Sequence, residues 1–336
     1  MKELREWRDT VIKDWFVFGL VSFLLVSTLC IPCTVAGQQN ASATAADTNA
    51  ELVLLTVTVS DKNGYCVKGL RPGNFTVLSD KSPQEIKFFS QRGEPVSVVI
   101  LIDRSGSMVD KPQNVNKIGL IKEALSDWLP ESNKANEYLL LGFNQNASLL
   151  LDWTRDTQAV LTALDELASK PPKGQTALYD ACYLGLEKAK SGAHTRRALI
   201  LFTDGQDNSS QHRFDELSHF LPTTNIVIYT INILDLRPRL LSPDLILQSG
   251  RILGDLTSLS GGLAFYPKSK AELKASFGFI SQELHDQYLI GFKPKDSARD
   301  GKPHNIAVKV TLPPNSPLEQ KQLVVRSRKG YVVPKQ

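Results

Sequence analysis

The run VSVVILIDRSGSM, Val96 to Met108, carries apolar and small residues straight into an acid and two hydroxyls, Asp103, Ser105 and Ser107. Further along, Thr176 follows a Pro/Gly-rich stretch in PPKGQTALYD, and Asp204 stands between the apolar run RRALILFT and Gly205. Together these residues offer carboxylates and hydroxyls and no nitrogen or sulfur. Hard divalent cations, Mg2+ above all, take such oxygen ligands and keep some of their waters. Asp, Ser and Gly are also the stuff of ordinary turns, so Asp-x-Ser-x-Ser alone decides nothing. The question passes to the elements around the residues, and whether they bring them to one place.

From Pro95 onward, apolar runs alternate with amphipathic ones. VSVVILID, EYLLLGFN, SLLLDW, RRALILFT, NIVIYTINIL and LAFYP read as strands. NKIGLIKEALSDWLP, DTQAVLTALDELASK, TALYDACYLGLEKAKSG, RFDELSHFL, LILQSGRILGDLTSLSGG and KAELKASFGFISQELHD read as helices, the second with Asp156 or Thr157 as a plausible cap. Continuously apolar strands separated by such helices predict a parallel sheet covered on both faces. In a doubly wound sheet, ligands sit at the carboxyl ends of strands. Asp103 to Ser107 follow one strand, Asp204 follows another, and Thr176 stands at the mouth of a helix. All five therefore belong at one sheet edge, with Gly205 permitting a sharp turn.

The flanks have a different style. Residues 51–92 are β-rich, with Asn63-Gly64 as a hairpin signal. Residues 285–336 hold QYLIGFKP, HNIAVKVTLP and QLVVRSRKGYVVP, read as three more strands. Neither flank has enough strands to stand alone. The expectation is one small β-sandwich interrupted by residues 93–284. The fold class is α/β, a doubly wound, mostly parallel sheet inserted in a β-sandwich.

At 336 residues, with 42% hydrophobic and 22% charged, the composition is that of a globular protein. The formal charge of +4 is spread thinly, which argues against nucleic-acid or membrane-surface binding. Trp15 to Leu29 is uncharged and follows Lys2, Arg5, Arg8 and Lys13. It is long enough for a signal h-region and short for a full span. Thr34 and Ala36 suit cleavage after Ala36, whereas Glu3, Glu6, Asp9 and Asp14 make the n-region less positive than usual. Residues 1–36 are thus a signal peptide or an uncleaved signal anchor, residues 37–50 a linker, and the remainder extracytoplasmic, periplasmic or at the cell surface. Cys30 and Cys33 lack the small preceding residue of a lipidation site. Cys66 and Cys182 read as separate buried residues, with a single long-range disulfide left open. The Asn-x-Ser/Thr matches at Asn40, Asn74, Asn146 and Asn208 matter only in a glycosylating host.

Asp103-Arg-Ser105-Gly-Ser107, then Thr176, then Asp204-Gly205 resemble the metal-ion-dependent adhesion site of von Willebrand factor type A domains, over roughly Pro95 to Gln282. The flanks, VTVSDKNGYCVKGLRPGNFTVLSDKSPQEIKFFS ahead and QYLIGFKPKDSARDGKPHNIAVKV with VVRSRKGYVVP behind, are similar to a group of secreted bacterial proteins related to that family. The resemblance implies that Ser105, Ser107 and Thr176 contact a metal, Mg2+ or else Mn2+ or Ca2+. Asp103 and Asp204 then bind it directly or through water, and a partner protein fills an open position with an Asp or Glu. It implies binding without turnover. A metal-dependent hydrolase is the competing enzyme reading, but it wants further carboxylates. Asp180 reads instead as favouring its helix's first turn, and Asp207 as part of a solvated loop. No Gly-x-Ser-x-Gly elbow occurs, and His194, His212, His219, His285 and His304 form no zinc pattern and read as surface or loop residues. The remaining alternative is a scaffold whose metal site is structural.

Overall fold

The computed structural model describes residues 52–91, 93–110, 115–233, 243–295, 300–333 and 335. The N-terminal apolar run and the linker lie outside the described residues. Strands β1 (Val53–Ser60), β2 (Phe75–Ser79), β3 (Ser82–Gln84) and β4 (Ile86–Gln91) come first. The α/β region follows: β5 (Val96–Asp103), the short β6 (Val109–Asp110) and β7 (Val115–Asn116), α1 (Lys117–Trp128), β8 (Glu137–Phe143) and β9 (Ala147–Thr154). It continues through α2 (Thr157–Ser169), α3 (Leu178–Lys190), β10 (Arg196–Thr203), α4 (Phe214–Phe220), β11 (Ile226–Asn232), α5 (Pro243–Ser260), β12 (Ala264–Phe265) and α6 (Lys270–Asp286). Strands β13 (Tyr288–Phe292), β14 (Pro303–Val310), β15 (Val324–Arg326) and β16 (Gly330–Val332) close the chain.

The central sheet runs β12-β11-β10-β5-β8-β9, parallel except for β9, which turns back along β8. Strand β5 is buried along its whole length, and its side chains alternate between two cores. Val98, Ile100 and Ile102 pack with α1, α2 and α6, whereas Val99 and Leu101 pack with α3, α4 and α5. That two-sided burial is why the strand reads as a continuous apolar run. Helix α2 starts where the sequence places a cap: the Asp156 carboxylate accepts from Gln158 N and Ala159 N.

The flanks form two four-stranded sheets around a third core, in the orders β15-β1-β13-β4 and β16-β14-β2-β3. The α/β domain is inserted between their strands. Two details differ from the sequence reading. Asn63-Gly64 makes its turn, with Gly64 at φ +88° and Asp61 N donating to Tyr65 O at 2.9 Å, but the return strand shrinks to a single Ser60–Cys66 bridge. Both edges of β1 are already taken, by β13 and β15. The run QLVVRSRKGYVVP splits into β15 and β16, which belong to different sheets. Between them the buried Arg328 donates to Leu54 O, Pro222 O and Thr224 O at 2.8, 3.0 and 2.7 Å, tying the sandwich to the α/β layer. Burial lowers its pKa to about 10.

Cys66 and Cys182 are both buried and both free, so the disulfide left open does not form. Burial pushes each thiol up to about 12. Among the described residues, no helix is long and apolar enough to cross a membrane.

Candidate metal centre

Strands β5 and β10 lie side by side, with Ile102 paired to Phe202, so Asp103 and Thr203 end their strands level. Asp103 is fully buried and is held on both oxygens: Oδ1 accepts from Ser105 N and Oδ2 from the Thr203 hydroxyl, each at 2.8 Å. A tight turn over Gly106–Met108 then presents Ser107, whose Oγ lies 3.0 Å from Ser105 Oγ. Gly106 N donates to Gly174 O at 3.0 Å, fastening this turn to the loop that carries Thr176.

Asp204 is placed from the other side. Its carbonyl accepts from Ser249 Oγ at 2.6 Å, and Ser249 in turn accepts from Asn232 Nδ2 at 2.7 Å. Gly205 turns the chain at φ +78° and donates to Thr203 Oγ1 at 3.1 Å. One carboxylate oxygen of Asp204 accepts from Gln206 N at 3.2 Å, while Oδ2 is buried with no hydrogen-bond partner. A buried carboxylate oxygen without a donor is unfavourable, and a second carboxylate beside it makes matters worse. Burial first, and the Asp204 charge second, push the Asp103 carboxyl up to about 7.

Asp103, Ser105, Ser107 and Asp204 are thus joined by direct bonds or by charge. Thr176, 3% exposed, reaches them through the Gly106–Gly174 bond and through Asn208, whose Oδ1 accepts from Thr176 N at 2.8 Å. The donor chemistry fits a hard cation. The Asp204 charge acts on the buried Asp103 carboxyl, one Asp204 oxygen is orphaned, and the neutral hydroxyls of Ser105 and Ser107 lie together beside Asp103. Among the described residues, no three His, Cys, Asp or Glu side chains cluster as a nitrogen or thiolate site would require.

Several residues here escape a sequence reading. Asp207 does not sit in a solvated loop: its Oδ1 accepts from Leu178 N at 2.8 Å and Tyr179 N at 3.4 Å, capping α3 from elsewhere in the chain. The available signal is negative, because the cap position of α3 is Ala177, which has nothing to cap with. Asp180 lies in the first turn of α3, yet its oxygens accept from Gln211 N and His212 N of the loop after β10. His304 is not a surface histidine. Its side chain is 14% exposed, with Nδ1 at 2.7 Å from Asp80 and Nε2 at 3.1 Å from Asp300.

Comparison with known proteins finds one family match and several distant likenesses. Residues 98–206 match the family model of the von Willebrand factor type A domain. An uncharacterized protein of Borreliella burgdorferi is 25% identical over 138 residues, which span 40% of this chain and 40% of that relative. Among solved structures, the conserved hypothetical protein BatB from Bacteroides thetaiotaomicron is 19% identical, covering 56% of this chain and 98% of its own, with a TM-score of 0.43. The vWF domain of the type V pili tip protein Mfa5 from Porphyromonas gingivalis is 14% identical, covering 57% and 95%, with a TM-score of 0.44.

Proposed function

Because residues 98–206 make this chain a von Willebrand factor type A domain protein, we propose that it is an extracytoplasmic binding module that captures an acidic side chain of a partner protein through a divalent cation. Asp103, Ser105, Ser107, Thr176 and Asp204 would hold the cation, Mg2+ foremost, with Mn2+ or Ca2+ as substitutes. The observation that carries this reading is the partnerless Asp204 Oδ2, buried beside a second buried carboxylate.

The cation, when bound, supplies positive charge that offsets the two carboxylates and an electrophilic position for an incoming Asp or Glu. The protein's own residues do the rest. Ser105 N and the Thr203 hydroxyl fix both oxygens of Asp103, and Ser249 and Gly205 fix the backbone at Asp204. Ser105, Ser107 and Thr176 contribute neutral oxygens, which leave the site hungry for an anion. A charge-assisted contact in a partly desolvated place is the strong kind. Binding is favoured over hydrolysis because Asp180 and Asp207, the carboxylates a hydrolase reading would call on, are occupied by backbone N–H groups. The uncharged run Trp15 to Leu29 supports placement outside the cytoplasm.

Calorimetric titration of the full chain with Mg2+ tests the cation step. Asp103→Ala and Asp204→Ala should abolish uptake, Thr176→Ala should weaken it, and the far-UV circular dichroism of all three should match the parent. Partners captured by the wild-type chain should be released by EDTA and missed by Asp103→Ala. Equal retention in EDTA and by Asp103→Ala would exclude the cation site as the recognition surface.

A further inference from the structure

Every backbone amide from Thr176 to Asp180 donates outside its own segment. Thr176 N reaches Asn208 Oδ1 at 2.8 Å, Ala177 N reaches Asn144 O at 2.7 Å, and Leu178 N reaches Asp207 Oδ1 at 2.8 Å. Tyr179 N and Asp180 N reach Ser210 Oγ at 3.0 and 3.3 Å. The bonds also run in the opposite direction. Thr176 O accepts from Asn208 N at 2.9 Å and Ser209 N at 3.1 Å, and the Asp180 carboxylate accepts from Gln211 N and His212 N. A helix leaves its first amides unsatisfied unless something caps them. Here the loop after β10 caps α3, and Asp204 stands at the root of that same loop.

We propose that Asn208, backed by Asp207, is a positioning residue that ties the main chain of Thr176 to the loop that begins at Asp204 and thereby sets the cation affinity of the site without touching the cation. The inference rests on reading Asp103, Ser105, Ser107, Thr176 and Asp204 as a cation site. Asn208 grips the main chain of Thr176 on both sides, taking its N–H on the side chain and giving its own N–H to the carbonyl. With the backbone fixed, the hydroxyl retains only its side-chain rotation. A ligand already in place loses less freedom on binding, and tolerances at such sites are about 0.5 Å. Asp207 acts by offering an oxygen acceptor to α3, so its geometry is what counts.

The test uses Mn2+ alone as the probe of the full chain, with affinity read from loss of the aqueous Mn2+ EPR signal and Tm measured separately in EDTA. Removing an outer partner of a metal ligand typically costs 10–100-fold in affinity. Asn208→Ala and Asp207→Ala should each weaken Mn2+ binding by about tenfold or more. Asp207→Asn keeps an oxygen acceptor and should restore most of the affinity. Asp156→Ala, which uncaps α2 instead, should lower Tm and leave Mn2+ affinity unchanged. If Asp207→Ala fails to fold, Asn208→Ala decides, because it leaves the acceptors on α3 in place. Wild-type affinity in Asn208→Ala, with Asp204→Ala still inactive, would overturn the positioning role and spare the cation site. An affinity loss in Asp207→Asn equal to that in Asp207→Ala would make charge the contribution and also overturn it. A wild-type chain that takes up no Mn2+ would remove the cation site and this inference with it.

Discussion

Replacing Gly205 by alanine probes how Asp204 is held. The backbone there has φ +78°, a conformation costing a non-glycine residue about 1–2 kcal/mol. An added Cβ would also stand 2.4 Å from Ser249 Oγ, 3.1 Å from its Cβ and 3.2 Å from its Cα. Turning the hydroxyl away would break its bonds to Asp204 O and Asn232, leaving buried groups unsatisfied at about 1–3 kcal/mol in all. The expected destabilisation is therefore about 2–5 kcal/mol. Urea unfolding in EDTA reads it free of any stabilisation by bound ions. In a Ser249→Gly background the Oγ and Cβ contacts are gone and only the Cα at 3.2 Å remains, so Gly205→Ala should cost about 1–2 kcal/mol, set mainly by the backbone. The two sites should thus couple by about 1–3 kcal/mol. Equal costs in both backgrounds, or a wild-type cost below about 1 kcal/mol, would refute the close approach of Ser249 to Gly205.

Two more outcomes follow from ionisable groups elsewhere in the fold. Asp80, and then Asp300, raise the pKa of His304 above its ordinary 6.5. The stabilisation this gives is complete below pH 6.5 and fades as pH rises through the folded value, so urea midpoints should fall as pH rises above 6.5. His304→Asn should flatten that slope, and an unchanged slope would show that the clasp contributes nothing. The thiols of Cys66 and Cys182, both raised to about 12, should resist N-ethylmaleimide in the native chain and react once it is unfolded. Rapid native labelling of either, located by peptide mass spectrometry, would contradict their burial.

How much of this is legible in the sequence depends on the range of each interaction. Strand β5 is readable because burial on both faces leaves nothing but apolar side chains. The cap of α2 is readable because Asp156 and the amides it accepts from are neighbours. The cap of α3 is not, since Asp207 lies 29 residues from Leu178 and only folding brings them together. The turn at Asp80 and Lys81, both at positive φ without glycine, carries no ordinary signal either. His304 and Asn305 hold it from the far end of the chain. The split of the last apolar run into β15 and β16 follows from Arg328, whose buried guanidinium finds its carbonyls between layers that the sequence does not show as adjacent.

Strand β13 sits between β1 and β4, yet it follows β4 by about 200 residues of chain. At about 5–20 residues per second, a ribosome takes roughly 10–40 s to supply it. Throughout that interval β1 and β4 lack the strand that joins them into one sheet, and unpaired strand edges recruit other chains. The folded α/β domain ends the wait by bringing the start of β13 back beside Gln91, its partner on β4. Once the intervening chain is compact, the closure entropy of that long loop has already been met. The sandwich is therefore the last part of the molecule to be completed, and its protection from aggregation is lent by the speed with which the inserted domain folds.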